Sequence, residues 1–584
     1  MIDLRIVGGS VIDGTGAPRR QADVGINGGR IVSVDEDSGP ARRTLSAEGM
    51  VVAPGFVDSH THLDAQLAWD PQATPSTLHG VTTVLGGNCG FSIAPLQPEA
   101  TDYVRRLLAR VEGIPLEALE SGPEWAWTSF GQWLDRFDGR IAVNAGFAVG
   151  HSTLRYLAMG PAAVGGQPSE AQSTDMASRL HQALDDGALG FTSSLASSHN
   201  DGNGLPVPSR ATEAAELVGL AAALRDHPGT SLGLNPGAGP FAAGMMDTMA
   251  DMSREADRVL NWNALLIYQQ RWEEAVLELT ASDHAAARGG HVVAEVVPDP
   301  RRFYVSFLSG FLLDALPGWA ELFSLPLADR RAWLADPRCR PALLAGVVSD
   351  AVPAMLRNHT DPSGMTVVQT TDPATRSLAG RRVEDIAKER GISAFDCFLD
   401  IAVEDDLGAV FMPDPVGDDD RSWELRGAAM IDPRTVIGAA DSGAHLDVAS
   451  SFNYTTSVLA GSVRRRGLFS LETAIRELTD VPARLFGVTG RGRIRPGWAA
   501  DLVLFDPDTI GPMPEEIRAD LPGGARRIYA DAQGIAAVLV NGEPIVEHGE
   551  HTGQLPGTVL RSGRDTETVT VDAARALSAP TAGH

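Results

Sequence analysis

Residues 50–64 read MVVAPGFVDSHTHLD, an apolar run that passes directly into two histidines. The run reads as a strand that ends at His60-Thr61-His62. On a strand, residues i and i+2 face the same side, so both imidazoles are directed into one space. Two neutral imidazoles converging at a strand end suit Zn²⁺ or a similar ion. A pair of exposed loop histidines is the bland alternative, and placement between an apolar strand and Asp64 argues against it.

Working outward, the flanks of this stretch differ from its continuation. Upstream, DLRIVGGSVIDG and ADVGINGGRIVSV alternate apolar and polar residues and break at Gly-Gly and Asn-Gly, the grammar of hairpins. The same grammar returns near the other end in ADLVLFDP and IAAVLVNGEPIVEHGEHTG. Two strand-rich ends around a long middle predict a small β-sandwich assembled from both termini, residues 1–55 and 489–560. The middle alternates short apolar strands with helical stretches: VTTVLGG, RIAVNAGFAVG, GALGFTSSL, TSLGLNPG, RVLNWNALL, HVVAEVVP and TVIGAADSGAH. Repeated βα units mean a parallel sheet. About eight such strands fit an α/β fold of the (β/α)₈ TIM-barrel type over 56–488. An aromatic, Pro-rich stretch at 301–345 reads as an inserted helical lid or subunit contact, and 561–584 as a loose polar tail.

Composition narrows the function classes. The chain has 584 residues and a net charge of −27, with 75 Asp+Glu against 48 Lys+Arg. That field repels polyanions, so nucleic acid is excluded as a partner. No uncharged apolar run reaches the roughly 18 residues of a membrane span. The start, MIDLRIVGGSVIDG, carries an early Asp and alternates like a strand, which is not the pattern of a signal peptide. Three cysteines, Cys89, Cys339 and Cys397, fit a reducing compartment. The expectation is a cytoplasmic protein with a small-molecule substrate, no membrane or nucleic-acid partner, and a homo-oligomeric state. Lys388 is the only lysine, in a charged helical segment.

Four stretches together resemble the amidohydrolase superfamily, and within it the N-acyl-D-amino-acid deacylase (D-aminoacylase) branch. They are PGFVDSHTHLD, HGVTTVLGGNCGFSIAP (79–95), GALGFTSSL (187–195), and VIGAADSGAHLDV (436–448) followed by PGWAADLVLFD (496–506). The resemblance implies a metal-dependent amidohydrolase with His60, His62, Cys89 and Asp441 as metal ligands. Many superfamily members bridge two metals with a carboxylated lysine, a device that Lys388 is badly placed to supply. A thiolate is a ready substitute, since a bound metal lowers its pKa. Asp441 is implied as the residue that binds metal and shuttles a proton, because amide hydrolysis needs a base for water and an acid for the leaving nitrogen. His445 is a candidate catalytic residue that contacts substrate or orients Asp441.

The pattern also breaks. The branch supplies a further histidine from each of two middle strands, where this chain has Asn235 and Asn261 or Asn263. An asparagine carbonyl is a poor transition-metal ligand beside imidazole, so one Zn²⁺ is expected and the second site is doubtful. His199 and His291 are possible compensating ligands. A basic residue implied after the second middle histidine is missing too, leaving Arg155, Arg210, His151, Asn235 and Asn263 as candidate substrate contacts. A guanidinium can hold a carboxylate bidentately. Trp262 and the aromatic insertion point to an apolar acyl or aryl group. The expected reaction is cleavage of the amide C–N bond of a small N-acylated molecule. The rivals are another amide, carbamate or cyclic imide as substrate, and a metal-free scaffold.

Overall fold

The computed structural model describes residues 2–35, 39–237, 239–308, 310, 312–352 and 354–578. The apolar run that opens at Met50 is split between two sheets. Val51–Pro54 is one strand and Phe56–Asp58 the next. The break falls at Gly55, where an added Cβ would lie 2.2 Å from the Thr82 side chain.

Val51–Pro54 pairs antiparallel with Leu502–Phe505 and parallel with Ile2–Val11, which joins the two ends of the chain. The result is a nine-stranded sheet running from Glu550–His551 through Glu543–Glu547, Ile535–Val540, Leu502–Phe505 and Val51–Pro54 to Ile2–Val11, Arg20–Asn27 and Arg30–Asp35, with Ala41–Ser46 also on Ile2–Val11. Its strands show the two-residue period expected of a sheet with two covered faces. Val52, Leu502, Leu504 and Leu539 pack into one apolar cluster, while Val51, Ala53, Val503, Phe505 and Val538 face the main core.

Phe56–Asp58 begins a succession of parallel strands. It pairs with Val81–Gly86, which pairs with Asn144–Phe147. After a one-residue interruption Val149–Gly150 pairs with Gly190–Ser194, followed in turn by Ser231–Asn235, Leu260–Leu265, Val292–Val296 and Thr435–Ile437. A parallel bridge, Thr61 to Ser442, links the segments that follow the first and last of these strands. Helices fill the crossovers. One of them, Glu170–Asp185, starts at a capping box in which Ser169 and Gln172 satisfy each other's backbone N–H groups.

Two expectations need correction. The insertion is not confined to 301–345. Apolar residues from Val305 to Phe411 form a second core around Phe307, Trp319 and Phe398, with its own three-stranded sheet of Val305–Ser306, Val410–Pro413 and Met365–Gln369. The described part of the tail, 561–578, is not loose: Arg561 N donates to Asp565 Oδ2, Thr489 N to Asp565 O, and Val571–Ser578 is helical, while 579–584 lie outside the described residues. The described residues include no helix long and apolar enough to cross a membrane.

Candidate metal centre and active site

His60 and His62 follow the first parallel strand, and their rings lie 5.5 Å apart at 64°. Each ring has an acidic side chain behind it, hydrogen-bonded only at His60. His60 Nδ1 lies 2.6 Å from Glu295 Oε2, and His62 Nδ1 lies 3.4 Å from Glu112 Oε1. The Glu295 hydrogen bond at Nδ1 orients the His60 ring so that Nε2 faces forward. Both Nε2 atoms face Asp441 Oδ1, at 3.2 and 3.8 Å. Cys89 Sγ lies 3.5 Å from His60 Nε2. One donor atom from each of His60, His62 and Cys89 falls within 4.8 Å of the others, and all three residues are buried.

The Cys89 loop is forced inward by backbone geometry. Gly87 has φ +75°, and an added Cβ would sit 2.1 Å from Ala148 O. Only glycine fits a left-handed position in such close contact. Cys89, Asp441 and His445 are themselves left-handed, at φ 54°, 55° and 52°. Non-glycine residues rarely hold that conformation, and such residues cluster at functional sites.

Electrostatics follow from burial and crowding. Burial opposes protonation of His60, but Glu295 and Cys89 outweigh it and hold the imidazole well above its ordinary value. His62 is raised in the same way against its burial, chiefly by Glu112. Burial would push the Cys89 thiol up, yet the two imidazoles bring it down to about 6. Burial favours a protonated Asp441, but Arg301, His60 and His62 hold it well below the usual carboxylate range. Burial raises Glu112 to about 8, with His62 opposing. His445 is pushed down to about 4 by burial and is neutral at pH 7. The donor set of two imidazoles, a thiolate and a carboxylate fits a zinc-like divalent ion.

The two asparagines stand on the other side of the sulfur. Asn235 Nδ2 lies 3.7 Å and Asn263 Nδ2 3.3 Å from Cys89 Sγ. Asn261 instead donates to Glu295 Oε1 at 2.9 Å. Of the two candidates on that strand, Asn263 is therefore the one that faces the sulfur.

Other sequence candidates lie elsewhere. His151 bonds Ser193 Oγ and Glu216 Oε1, and Arg155, also fully buried, spends its Nη1 on Glu216 and its Nη2 on Gly166 O. His151 thus has both ring nitrogens engaged, and Arg155 keeps only its buried Nε without a hydrogen-bond partner. Arg210 ties down the backbone of His199 and the side chain of Asn200. His199 packs on Phe91 at 5.3 Å and feels the charges of His445, His62 and Asp441, which puts it beside the site. His291 precedes the strand Val292–Val296, at the end opposite Glu295. Trp262 is 1% exposed in the main core against Phe241. Cys397 is buried in the second core, and Lys388 pairs with Glu384 on an exposed helix.

Sequence reading missed Glu295, Glu112 and Arg301. Glu295 left a signal, a lone charge inside the apolar VVAEVV. Arg301 Nη1 lies 2.6 Å from Asp441 Oδ2, and its Nη2 donates to Ala439 O.

The amidohydrolase family model matches residues 43–546. A D-aminoacylase of Alcaligenes xylosoxydans xylosoxydans is 30% identical over 571 residues, covering 96% of this chain and 97% of the relative. A solved D-aminoacylase, described by one-metal activation and second-metal attenuation at a binuclear centre, superposes with a TM-score of 0.64 at 26% identity. The N-acyl-D-glutamate deacylase of Bordetella bronchiseptica, solved with zinc and a phosphonate mimic of the tetrahedral intermediate, gives 0.65 at 25% identity. Each alignment covers 96% of this chain and all of the solved one. With a family match across most of its length, the chain belongs to the amidohydrolase family.

Proposed function

We propose that this protein hydrolyses the amide bond of N-acyl-D-amino acids with a single zinc ion held by His60, His62, Cys89 and Asp441. The observation that carries this reading is the convergence of two Nε2 atoms, one Sγ and one carboxylate oxygen in a buried space. When bound, the ion supplies Lewis-acid polarisation of the scissile carbonyl and acidifies water. Asp441, kept ionised with Oδ2 tied to Arg301, uses Oδ1 to take a proton from water and then deliver it to the leaving nitrogen. In this reading His445, neutral at pH 7, donates a hydrogen bond to developing negative charge. Asn235 and Asn263 offer N–H groups to Cys89 where a second ion would need lone pairs, which favours one ion over two.

The scaffold we infer is a (β/α)₈ barrel closed at the Thr61–Ser442 bridge, with a sandwich-like module built on the nine-stranded sheet. The site lies beyond the C-terminal ends of the parallel strands, where barrels of this kind place their chemistry. The test is metal analysis joined to a deacylation assay on paired N-acetyl-D- and N-acetyl-L-amino acids. One equivalent of zinc, D-selective release of the amino acid, and loss of both in His60→Ala are expected. A protein that takes up no zinc and releases no amino acid from either enantiomer fails the reading.

A further inference from the structure

Arg301 and Asp441 reach each other from the ends of two different strands. Just past Val292–Val296 and Thr435–Ile437, Gly438 N still donates to Val296 O at 3.2 Å. Farther on, Arg301 bridges the two chains, with Nη1 2.6 Å from Asp441 Oδ2 and Nη2 donating to Ala439 O. The stretch Ala439–His445 is poorly suited to hold itself. Ala439, Asp441 and His445 all have left-handed backbones, at φ 51°, 55° and 52°. Non-glycine residues keep that conformation where their surroundings over-determine it, so the support must come from outside the loop.

The two chains meet again beyond the site, where Tyr304 N donates to Val448 O and Phe303 bridges Ala449. Glu515 closes this junction. Its Oε2 accepts from Tyr304 Oη and its Oε1 from Ser450 Oγ, with Arg302 Nη1 3.7 Å from Oε2. One carboxylate oxygen thus takes each chain. The Glu515 side chain is 10% exposed and Tyr304 is buried, so these charge-assisted bonds are little screened. Glu515 immediately precedes Glu516–Arg518, which pairs antiparallel with Arg527–Tyr529, and Ile528 N donates to Leu446 O at 2.6 Å. A hairpin from the C-terminal part of the chain therefore grips the Asp441 loop at Leu446 and at Ser450.

We propose that Glu515 is a positioning residue for hydrolysis: by tying Tyr304 to Ser450 it fixes how Arg301 meets Asp441. Its catalytic consequence rests on the deacylase reading, in which Asp441 moves the proton. A misplacement of about 1 Å in such a group costs on the order of 100-fold in rate. The loss falls on kcat, because Asp441 acts in the transition state and is not asked to hold the substrate.

The full-length, zinc-loaded protein is assayed on N-acetyl-D- and N-acetyl-L-leucine, with metal analysis and with amide hydrogen exchange over 297–306 and 439–450. Glu515→Ala is expected to lower kcat about 10- to 100-fold at native zinc content, with KM changed by less than about twofold. Tyr304→Phe, which removes one hydroxyl and keeps the ring, should give part of that loss. The decisive measurement is a double-mutant cycle with Arg301→Gln. If Glu515 acts through Arg301, Glu515→Ala costs less than about twofold in that background, whereas a merely structural Glu515 costs the same in both. Should Glu515→Ala not fold, Tyr304→Phe carries the same cycle. Wild-type kcat in Glu515→Ala, a loss confined to KM, or equal losses in both backgrounds overturns the positioning role and leaves deacylation standing. A wild type that hydrolyses neither enantiomer sinks the deacylase reading instead. Faster exchange over 439–450 in Glu515→Ala then still supports the tie, and unchanged exchange overturns it.

Discussion

Cys89 concentrates the chemistry of this site in one sulfur. With its thiol brought down to about 6, it is a thiolate at pH 7, and protons compete with an ion for Sγ and both Nε2 atoms. The sign follows: acidification through about 6 protonates Sγ, and the raised imidazoles are protonated by then, so ion affinity falls as pH falls. Competition titration should find zinc bound at least about tenfold more weakly near pH 5 than near pH 7.5. An affinity that does not change with pH would remove Cys89 from the ligand set. The asparagines yield a gain-of-site experiment. Joint Asn235→His and Asn263→His substitution places imidazoles against Cys89 and should raise bound zinc from about one to about two equivalents by metal analysis. If the count stays at one, these positions do not face an ion site. His60 and His62 were legible because the i, i+2 spacing after an apolar run constrains direction as well as type, whereas Cys89 and the asparagines were legible only through the family resemblance. Glu112 was not, because an acid closing an amphipathic helix looks like any solvated carboxylate until the fold turns His62 toward it.

At the scale of elements, the site depends on loops that strands hold in strained shapes. The Gly87–Gly90 turn passes so close to Ala148 that the strand segments Asn144–Phe147 and Val149–Gly150 dictate where Cys89 points. Gly87→Ala must move one or the other. We expect a stability loss of about 2 kcal/mol or more together with zinc loss, read by denaturant titration and metal analysis. Wild-type stability and zinc content would mean the turn relaxes freely. Strand Val292–Val296 presents Glu295 to His60 in the same spirit. Glu295→Ala should cost about 10- to 100-fold in zinc affinity while circular dichroism stays native, because the imidazole loses the group that orients it. Hairpins and βα alternation could be read from turn residues and periodicity. The extent of the insertion could not, since its apolar residues, from Val305 to Phe411, follow no single period and reveal a separate core only when packed.

At the scale of the whole molecule, the contacts that matter join residues hundreds of positions apart, and no local pattern announces them. Thr61 meets Ser442, Val51–Pro54 meets Leu502–Phe505, and Ala145 meets Val559. The last of these leads directly into the segment expected to be loose. Val559 and Leu560 are each 1% exposed, and Val569 and Val571 are 8% and 5% exposed. Arg561 reaches Asp135 and donates to Asp186 O. Burying a side chain of this size is worth about 1.5–3 kcal/mol, so this segment contributes on the order of the 5–15 kcal/mol that holds a typical domain folded. The chain leading into the segment also hydrogen-bonds along the Asn144–Phe147 strand, which in turn braces the Cys89 turn. A chain ending at Gln554 should therefore aggregate or melt far below the wild type, whereas one ending at Ser578 should match it in scanning fluorimetry at a fixed heating rate. Should the shorter chain keep the wild-type melting temperature and zinc content, the C-terminal segment is an ornament on an independently stable core, and its burial carries none of the stability assigned to it.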